Sequence, residues 1–426
     1  MNLRNRIKEE IVTIKRHGNI VENTIAMSLI TFLNSGFQLI IYPFLIRKVG
    51  AEEYGQFAFA LSIVSYFMVF VGFGFDMIAA KYMAIAHEEG DSKGKSAIVS
   101  KIFSAKFYLL VPALLIYTAL IVVIPRLYAY RELYIALSLL VVSYVFIPGW
   151  YYQALQNNRI YLYIQIASKA VLLLIVLLAV RGGRGIYVYT WVFATTSFLG
   201  YLISALYIII HDRVSVSLVP LRSTMSYFRE SSHLFLSNFV SIFKSSGIYI
   251  VIGTLFGMKE LTAFDFSFRI TQNVLNLTKS LNLAIFPNIV TNYSVARVKR
   301  ILRKEIVLGL LMTLGIIAIG RPLIIIMGNG PIINIAYPIL VIMSGMVFIW
   351  FLSSFFIDLV LIPGGKNRAV FWNQLLSLTL ISIFSAMSYL LHLPIWAFTL
   401  AILIAGCFEL VFLCYVSKIF VREENF

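Results

Sequence analysis

Long apolar stretches recur along the chain from about residue 21 to residue 420, with short polar segments between them. Most approach the ~20 residues that an α-helix needs to cross about 30 Å of hydrocarbon. Lipid offers the backbone no hydrogen-bond partners, so runs of this length are expected to be helices. The pattern predicts twelve membrane spans. Their predicted bounds are 20–46, 55–80, 102–125, 133–156, 160–181, 186–210, 233–256, 260–290, 306–328, 332–362, 370–391 and 395–417.

Composition and charge fit this arrangement. The 426 residues are 60% hydrophobic and 13% charged, with mean hydropathy +0.89 and formal net charge +16. If the N-terminus is cytoplasmic, the predicted inside segments hold 22 of the 35 Lys and Arg residues and the outside loops hold 7. Cytoplasmic loops of membrane proteins are enriched in basic residues, so both termini are predicted to be cytoplasmic. The positive charge therefore indicates membrane topology rather than nucleic-acid binding.

The sequence contains an internal repeat. VGAEEYGQFAFALSI at 49–63 aligns with FGMKELTAFDFSFRI at 256–270 at an offset of 207 residues, and five positions are identical. Each half holds six predicted spans, so the halves run in the same sense, as in parallel-repeat transporters. The predicted fold is an all-α polytopic membrane protein with an N-lobe at 1–210, a cytoplasmic linker at 211–232 and a C-lobe at 233–426.

Span eight carries a stripe of polar residues at steps of 4, 3, 4 and 3, which places them on one helical face. The stripe consists of Asp265, Arg269, Gln272, Asn276 and Lys279. One interpretation is a helix packed on polar neighbours, with Asp265 and Arg269 a simple i,i+4 pair. The favoured interpretation is the wall of a water-filled cavity, since Lys279 has no acid three or four residues away.

Two other spans carry polar faces at related positions. Span one has Asn34 and Gln38, and span seven has Ser241 and Lys244. The repeat offset places Asn34 on Ser241 and Gln38 on Ser245. Corresponding helices of the two halves are therefore predicted to carry polar faces at related positions.

Several basic residues lie within predicted spans, where a charge costs at least ~2.5–3.5 kcal/mol on insertion scales. A cavity with surplus cations suits a phosphate ligand, which Arg binds in bidentate geometry and Lys as a point charge. Arg321 precedes a proline near the predicted outer leaflet, and headgroup anchoring is the alternative there. The predicted substrate-binding residues are Lys169, Lys244, Arg269, Lys279 and Arg321.

Four acids also lie within spans and are candidates for ion coupling or for structural roles: Asp76, Asp265, Asp358 and Glu409. Asp76 and Lys106 lie near the predicted cytoplasmic face, where snorkelling explains them about as well as function. The chain has no P-loop, no metal-spaced histidines and only two cysteines, Cys407 and Cys414. We expect no cofactor and no metal, with H⁺ or Na⁺ coupling left open.

Four blocks carry a family resemblance: FLNSGFQLIIYPFLIRKVGAEEYGQFAFALSI (32–63), VGFGFDMIAAKYM (71–83), IPGWYYQALQNNRIYLYIQIASKAVLLLIVL (147–177) and FDFSFRITQNVLNLTKSLNLAIFPNIV (264–290). Together they resemble the Wzx-type polysaccharide flippases of the MOP transporter superfamily, which also holds MATE exporters and lipid II flippases. Within these blocks, only Lys169 and Lys81 match basic positions of the family motifs. Span one lacks the acid found there in many MATE exporters.

The resemblance implies two six-helix lobes around a cleft lined by spans one, two, seven and eight. It also implies a non-enzymatic function, in which undecaprenyl-diphosphate-linked oligosaccharides pass from the cytoplasmic to the periplasmic leaflet by alternating access. Such a protein would act in the synthesis of O-antigen, a part of lipopolysaccharide, or of a related surface polysaccharide in the bacterial inner membrane, among membrane lipids and beside polysaccharide polymerase machinery. The alternatives are a MATE-like small-molecule exporter and a lipid II-type flippase. A polymerase or glycosyltransferase is disfavoured, because no predicted outside loop exceeds about ten residues.

Overall fold

The computed structural model describes residues 26, 29–30, 36–38, 40–291, 295–327, 331–362 and 366–422. Those residues are almost entirely helical and include no strand, which confirms the predicted all-α class. We number the helices in chain order. They are α1 (40–49), α2 (Ala51–Gly72), α3 (Phe75–Glu88), α4 (Ser92–Val123), α5 (Pro125–Ala129), α6 (Arg131–Ser143), α7 (Gly149–Ala154), α8 (Asn158–Ala179), α9 (Gly185–His211), α10 (Leu221–Leu255), α11 (Met258–Thr291), α12 (Val295–Met327), α13 (Pro331–Phe355), α14 (Asn367–Leu390) and α15 (Ile395–Arg422).

The described part of the chain contains ten helical segments that are long and apolar enough to cross a membrane. Most of predicted span one lies outside the described residues. Predicted span eight is α11, a 34-residue helix whose polar stripe lowers its hydropathy. The total of twelve spans and the cytoplasmic termini therefore remain predictions.

The chain forms two compact units. Unit 1 comprises residues 1–37 with 60–246, and unit 2 comprises residues 38–59 with 247–426. These limits differ from the predicted lobes because α1 and the start of α2 pack with the C-terminal half of the chain. The lobe boundaries drawn from the sequence remain predictions.

The internal repeat explains why α1 and the start of α2 pack in unit 2. Gly50 and Gly257 occupy equivalent positions and both have positive φ, at 98° and 115°, a conformation that glycine adopts without a Cβ penalty. The two repeated helix starts lie against each other so closely that a Cβ at Gly55 would overlap the Met258 carbonyl group. The Thr262 hydroxyl donates to the Ala51 carbonyl at 2.5 Å across this contact.

The predicted linker is mostly ordered along unit 1. Residues 214–219 run extended beside α4, while α10 begins at Leu221, three turns before the predicted start of span seven. Serines four residues apart on a helix are spaced about 6 Å along its axis. This spacing is close to the ~6.6 Å that separates every second residue of an extended chain. Three linker amides therefore donate to three serine hydroxyls at 3.2, 3.1 and 2.9 Å. The pairs are Ser215 with Ser96, Ser217 with Ser100 and Val219 with Ser104.

The aromatic motif at the start of α7 is a packing element of unit 1. Trp150, Tyr151 and Tyr152 are all at most 8% exposed and join the core formed with α3, α4 and α8. The Tyr151 hydroxyl donates to Asp212 at 2.9 Å, and the Tyr152 hydroxyl donates to the Ser204 carbonyl at 2.7 Å. These contacts tie α7 to the C-terminal part of α9, so the motif contributes to the scaffold.

Candidate functional site

In unit 2, Asp265 on α11 has a fully buried side chain with several hydrogen-bond donors. Arg269 lies one turn later and donates from Nε to Asp265 at 2.7 Å, so the i,i+4 pair of the less favoured sequence interpretation is present. The Tyr249 hydroxyl donates to the same carboxylate at 2.6 Å, and the Tyr54 hydroxyl donates to it from α2. A buried carboxylate with three charge-assisted or hydroxyl donors is fully compensated.

Arg269 also contacts two residues of the first part of unit 2. Its Nη1 donates to the Gln38 amide oxygen, and its guanidinium carbon lies 4.5 Å from the centre of the Tyr42 ring. Only 17% of the side chain is exposed. Since Asp265 neutralises its charge, Arg269 presents much less positive potential than an unpaired arginine.

Three tyrosines of this network, at positions 42, 54 and 249, were not among the predicted site residues. Tyr249 continues the serine spacing of α10, because it lies four residues after Ser245 and eight after Ser241. That spacing would have identified it. Tyr54 lies in the repeated segment, and only the packing of the repeats against each other brings it to Asp265.

Unit 1 contains a very different cation, Lys169 on α8. Its Nζ lies 5.6 Å from the centre of the Phe37 ring and 5.9 Å from that of Phe193. No described carboxylate forms a salt bridge with it, and it is partly buried. Aromatic faces attract a cation but leave its net charge intact. Lys169 therefore retains its capacity to bind an anion.

The surroundings of Lys169 are polar on one side. Gln165, one turn earlier, is 5% exposed, and its amide nitrogen has no hydrogen-bond partner in the described part of the structure. The Ser168 hydroxyl packs directly on Gly200 of α9, where a Cβ would overlap it. The polar residues around Lys169 thus include one unsatisfied donor, the Gln165 amide, in the described structure.

A second intramembrane ion pair lies in unit 1. Lys106 on α4 is fully buried and donates to Asp76 at the start of α3 at 2.6 Å. Snorkelling is therefore the wrong explanation for Lys106, because its side chain turns inward to a partner. Asp76 remains 39% exposed and lines a cavity of about 300 Å³.

The other predicted residues occupy separate places. The half-buried ones in the described structure are Lys244, Gln272, Asn276 and Asp358. Lys244, Asn276 and Glu409 each interact with other groups. Ser241 and Arg321 are exposed, while Glu409 is 4% exposed.

Asp358 lies in the π-helical segment Phe356–Leu361 and accepts a hydrogen bond from the Ser354 hydroxyl at 2.6 Å. Asn34 and the side chain of Lys279 lie outside the described residues.

One buried acid was missed. Glu305 on α12 is 5% exposed, and neither carboxyl oxygen has a hydrogen-bond partner in the described structure. The basic residues before it predict a cytoplasmic loop at 291–305, between predicted spans eight and nine. The structure instead extends the helix from Val295, which carries Glu305 into the packed part of unit 2.

Comparison with known proteins identifies the family. The sequence profile described as "Polysaccharide biosynthesis protein" matches residues 20–293, well over half of the chain. The chain belongs to the polysaccharide biosynthesis protein family. This membership confirms the resemblance that the four sequence blocks carry.

A relative with a curated name adds to the family match. The chain is 24% identical over 342 residues to the Escherichia coli (strain K12) protein named "Putative O-antigen transporter". The alignment covers 78% of this chain and 81% of that relative.

Solved structures support the fold of this family member. It superposes on the lipid II flippase MurJ in an inward closed conformation with a TM-score of 0.71 at 16% identity, covering 92% of this chain and 87% of that one. Superposition on an inward-facing MATE-family multidrug resistance transporter of the MOP superfamily gives a TM-score of 0.68 at 11% identity. The match covers 95% of this chain and 100% of that transporter. Together with the ten apolar helices, these comparisons establish a multi-pass membrane protein of the MOP fold.

Proposed function

We propose that this protein flips undecaprenyl-diphosphate-linked oligosaccharides from the cytoplasmic to the periplasmic leaflet of the bacterial inner membrane by alternating access. The single observation that carries the proposal is Lys169, a lysine within a membrane helix that lies near two aromatic rings and forms no salt bridge with a described acid. The family membership and the name of the Escherichia coli relative support a polysaccharide precursor as the cargo.

The energetics of Lys169 favour a ligand with negative charge. Keeping a lysine at membrane depth costs at least ~2.5–3.5 kcal/mol on insertion scales, and two aromatic rings recover only about 0.5–2 kcal/mol. A diphosphate placed beside the ammonium group supplies the missing counter-charge. In the proposed cycle, Lys169 binds this group while the polyprenyl tail stays in lipid.

The same charge argues against the exporter alternative. Cationic small molecules would be repelled by Lys169, whereas the likeness to MATE exporters is one of fold alone. A lipid II-type flippase shares the diphosphate chemistry and differs only in the sugar carried. We therefore assign the lipid-linked diphosphate as substrate class and propose the oligosaccharide unit from the family.

The experiment compares Lys169→Met with Lys169→Arg in proteoliposomes loaded with lipid-linked oligosaccharide extracted from the source organism. Lectin access to the outer leaflet measures flipping. We expect Lys169→Met to lower the rate at least tenfold and Lys169→Arg to retain much of it, because arginine keeps the charge. Lys93→Met, an exposed lysine at the start of α4, is the matched control. Undiminished flipping by Lys169→Met would overturn the proposed mechanism.

A further inference from the structure

Within unit 1, one cavity combines polar groups that have spare hydrogen-bonding capacity. It has a volume of about 300 Å³ and is lined by Val69, Gly72, Gly74, Asp76, Met77, Tyr144, Leu234 and Asn238. The lining comes from α2, α3, α10 and the turn that follows α6. Residues from four separate elements therefore converge on one space.

The polar groups of this cavity are only partly used. Lys106 donates to one carboxylate oxygen of Asp76, and no described group donates to the other. Asn238 is exposed, and neither its amide nor the Tyr144 hydroxyl makes a hydrogen bond within the described structure. The cavity thus offers a charged acceptor, an amide that both donates and accepts, and a phenolic hydroxyl.

The electrostatics of the cavity select against ions. A phosphate would approach the exposed carboxylate of Asp76, which repels it. A cation would compete with the buried ammonium of Lys106, which already lies 2.6 Å from that carboxylate. The pair has no net charge, so the site favours a neutral ligand with several hydroxyl groups.

The shape of the cavity also fits such a ligand. A Cβ at Gly72 would overlap the Tyr144 ring, so the glycine allows this ring to form one wall. Val69, Met77 and Leu234 supply apolar surface beside it. An aromatic wall, aliphatic contacts and a few convergent polar groups are the features of a small-molecule site, and they match a sugar ring with one apolar face and a polar edge.

We propose that this cavity is a sugar subsite, in which Asp76 and Asn238 hydrogen-bond hydroxyl groups of a saccharide that packs on Tyr144. The proposal rests on the proposed function and deepens it, since it separates recognition of the sugar from binding of the diphosphate by Lys169. The repeat is consistent with this separation, because the position of Lys279 in the second half is occupied by Gly72 in the first.

The test measures binding of two probes to the purified protein in nanodiscs: undecaprenyl diphosphate without sugar, and undecaprenyl-diphosphate-linked oligosaccharide extracted from the source organism. We expect the wild type to bind the glycosylated probe about tenfold more tightly, as expected from a hydrogen bond to a charged group. Asn238→Leu is expected to lower this preference about threefold or more while the sugar-free probe binds as before.

Asp76→Asn alone leaves the buried Lys106 unpaired and is prone to misfolding, so it is combined with Lys106→Met. The double variant is expected to bind the glycosylated probe no more than about twofold more tightly than the sugar-free probe. Glu89→Gln, which alters an exposed carboxylate at the end of the same helix, is the matched control. The sugar subsite would be overturned if Asn238→Leu weakened binding of both probes equally. It would also be overturned if the wild type bound both probes with equal affinity. A wild type that binds neither would overturn the proposed function itself.

Discussion

Two cations within membrane helices, Arg269 in unit 2 and Lys169 in unit 1, have opposite environments. Arg269 is bonded to a buried carboxylate that two tyrosine hydroxyls also contact, and it stacks on a third tyrosine. Lys169 has two phenylalanine rings and no described counter-charge. The sequence placed both in one class of substrate-binding cations.

The difference teaches that the presence of a charge within a span does not define its role. The network around Arg269 satisfies nearly every polar group it contains, which is the arrangement that stabilises a fold. The surroundings of Lys169 leave a charge uncompensated, which is the arrangement that binds a ligand at a cost in stability. We therefore expect Arg269 to matter first for folding and Lys169 first for transport.

Asp265→Asn should produce the largest effect on stability. The substitution leaves the Arg269 guanidinium without its buried counter-ion, and breaking a buried pair in this way costs about 3–5 kcal/mol. Thermal unfolding in detergent, followed by size-exclusion fluorescence, should show a clearly lower midpoint and reduced yield. The double variant Asp265→Leu with Arg269→Met should recover much of the loss. An unchanged midpoint for Asp265→Asn would remove the basis of the comparison.

Tyr249→Phe should lower stability by a smaller amount. It removes one hydroxyl donor to the buried carboxylate while keeping the ring, and a hydrogen bond to a charged group contributes about 1.5–3 kcal/mol. The same unfolding measurement applies, with Tyr415→Phe as control because its ring is 67% exposed on α15. Equal midpoints for the two variants would show that the Tyr249 contact does not stabilise unit 2.

Lys169→Met tests the contrast with Arg269 from the other side. This substitution should leave the stability of the protein unchanged or raise it. The variant removes a partly buried charge that lacks a described partner, so the unfolding midpoint should equal or exceed that of the wild type. Flipping should fall at least tenfold in the same preparation. A midpoint lowered as much as that of Asp265→Asn would mean that Lys169 is structural.

Phe193→Leu should have the smallest effect. It replaces one of the two rings near the Lys169 ammonium with an aliphatic side chain, removing about 0.5–1 kcal/mol of cation–π attraction. The flipping rate should change by no more than about fivefold, and Tyr189→Phe at the preceding turn provides a ring-retaining comparison. A loss as large as that of Lys169→Met would indicate that the ring itself contacts the substrate.

Much of the fold was predictable from local patterns. The apolar runs predicted most helices, because backbone satisfaction in lipid depends on a segment's own hydropathy. The repeat at an offset of 207 predicted equivalent helix starts, and Gly50 and Gly257 share their unusual backbone conformation. The Asp265–Arg269 pair followed from helical spacing alone.

The remaining features depend on residues distant in sequence. The tyrosines on Asp265, the serine hydroxyls that hold the linker and the partner of Lys106 are set by how helices pack. Glu305 was misplaced because a basic flank obscured the start of its helix. The sequence by itself determined the family, the helical class and the positions of the intramembrane charges. Only the tertiary structure decided which charges are neutralised, because neutralisation requires partners that local sequence spacing does not specify.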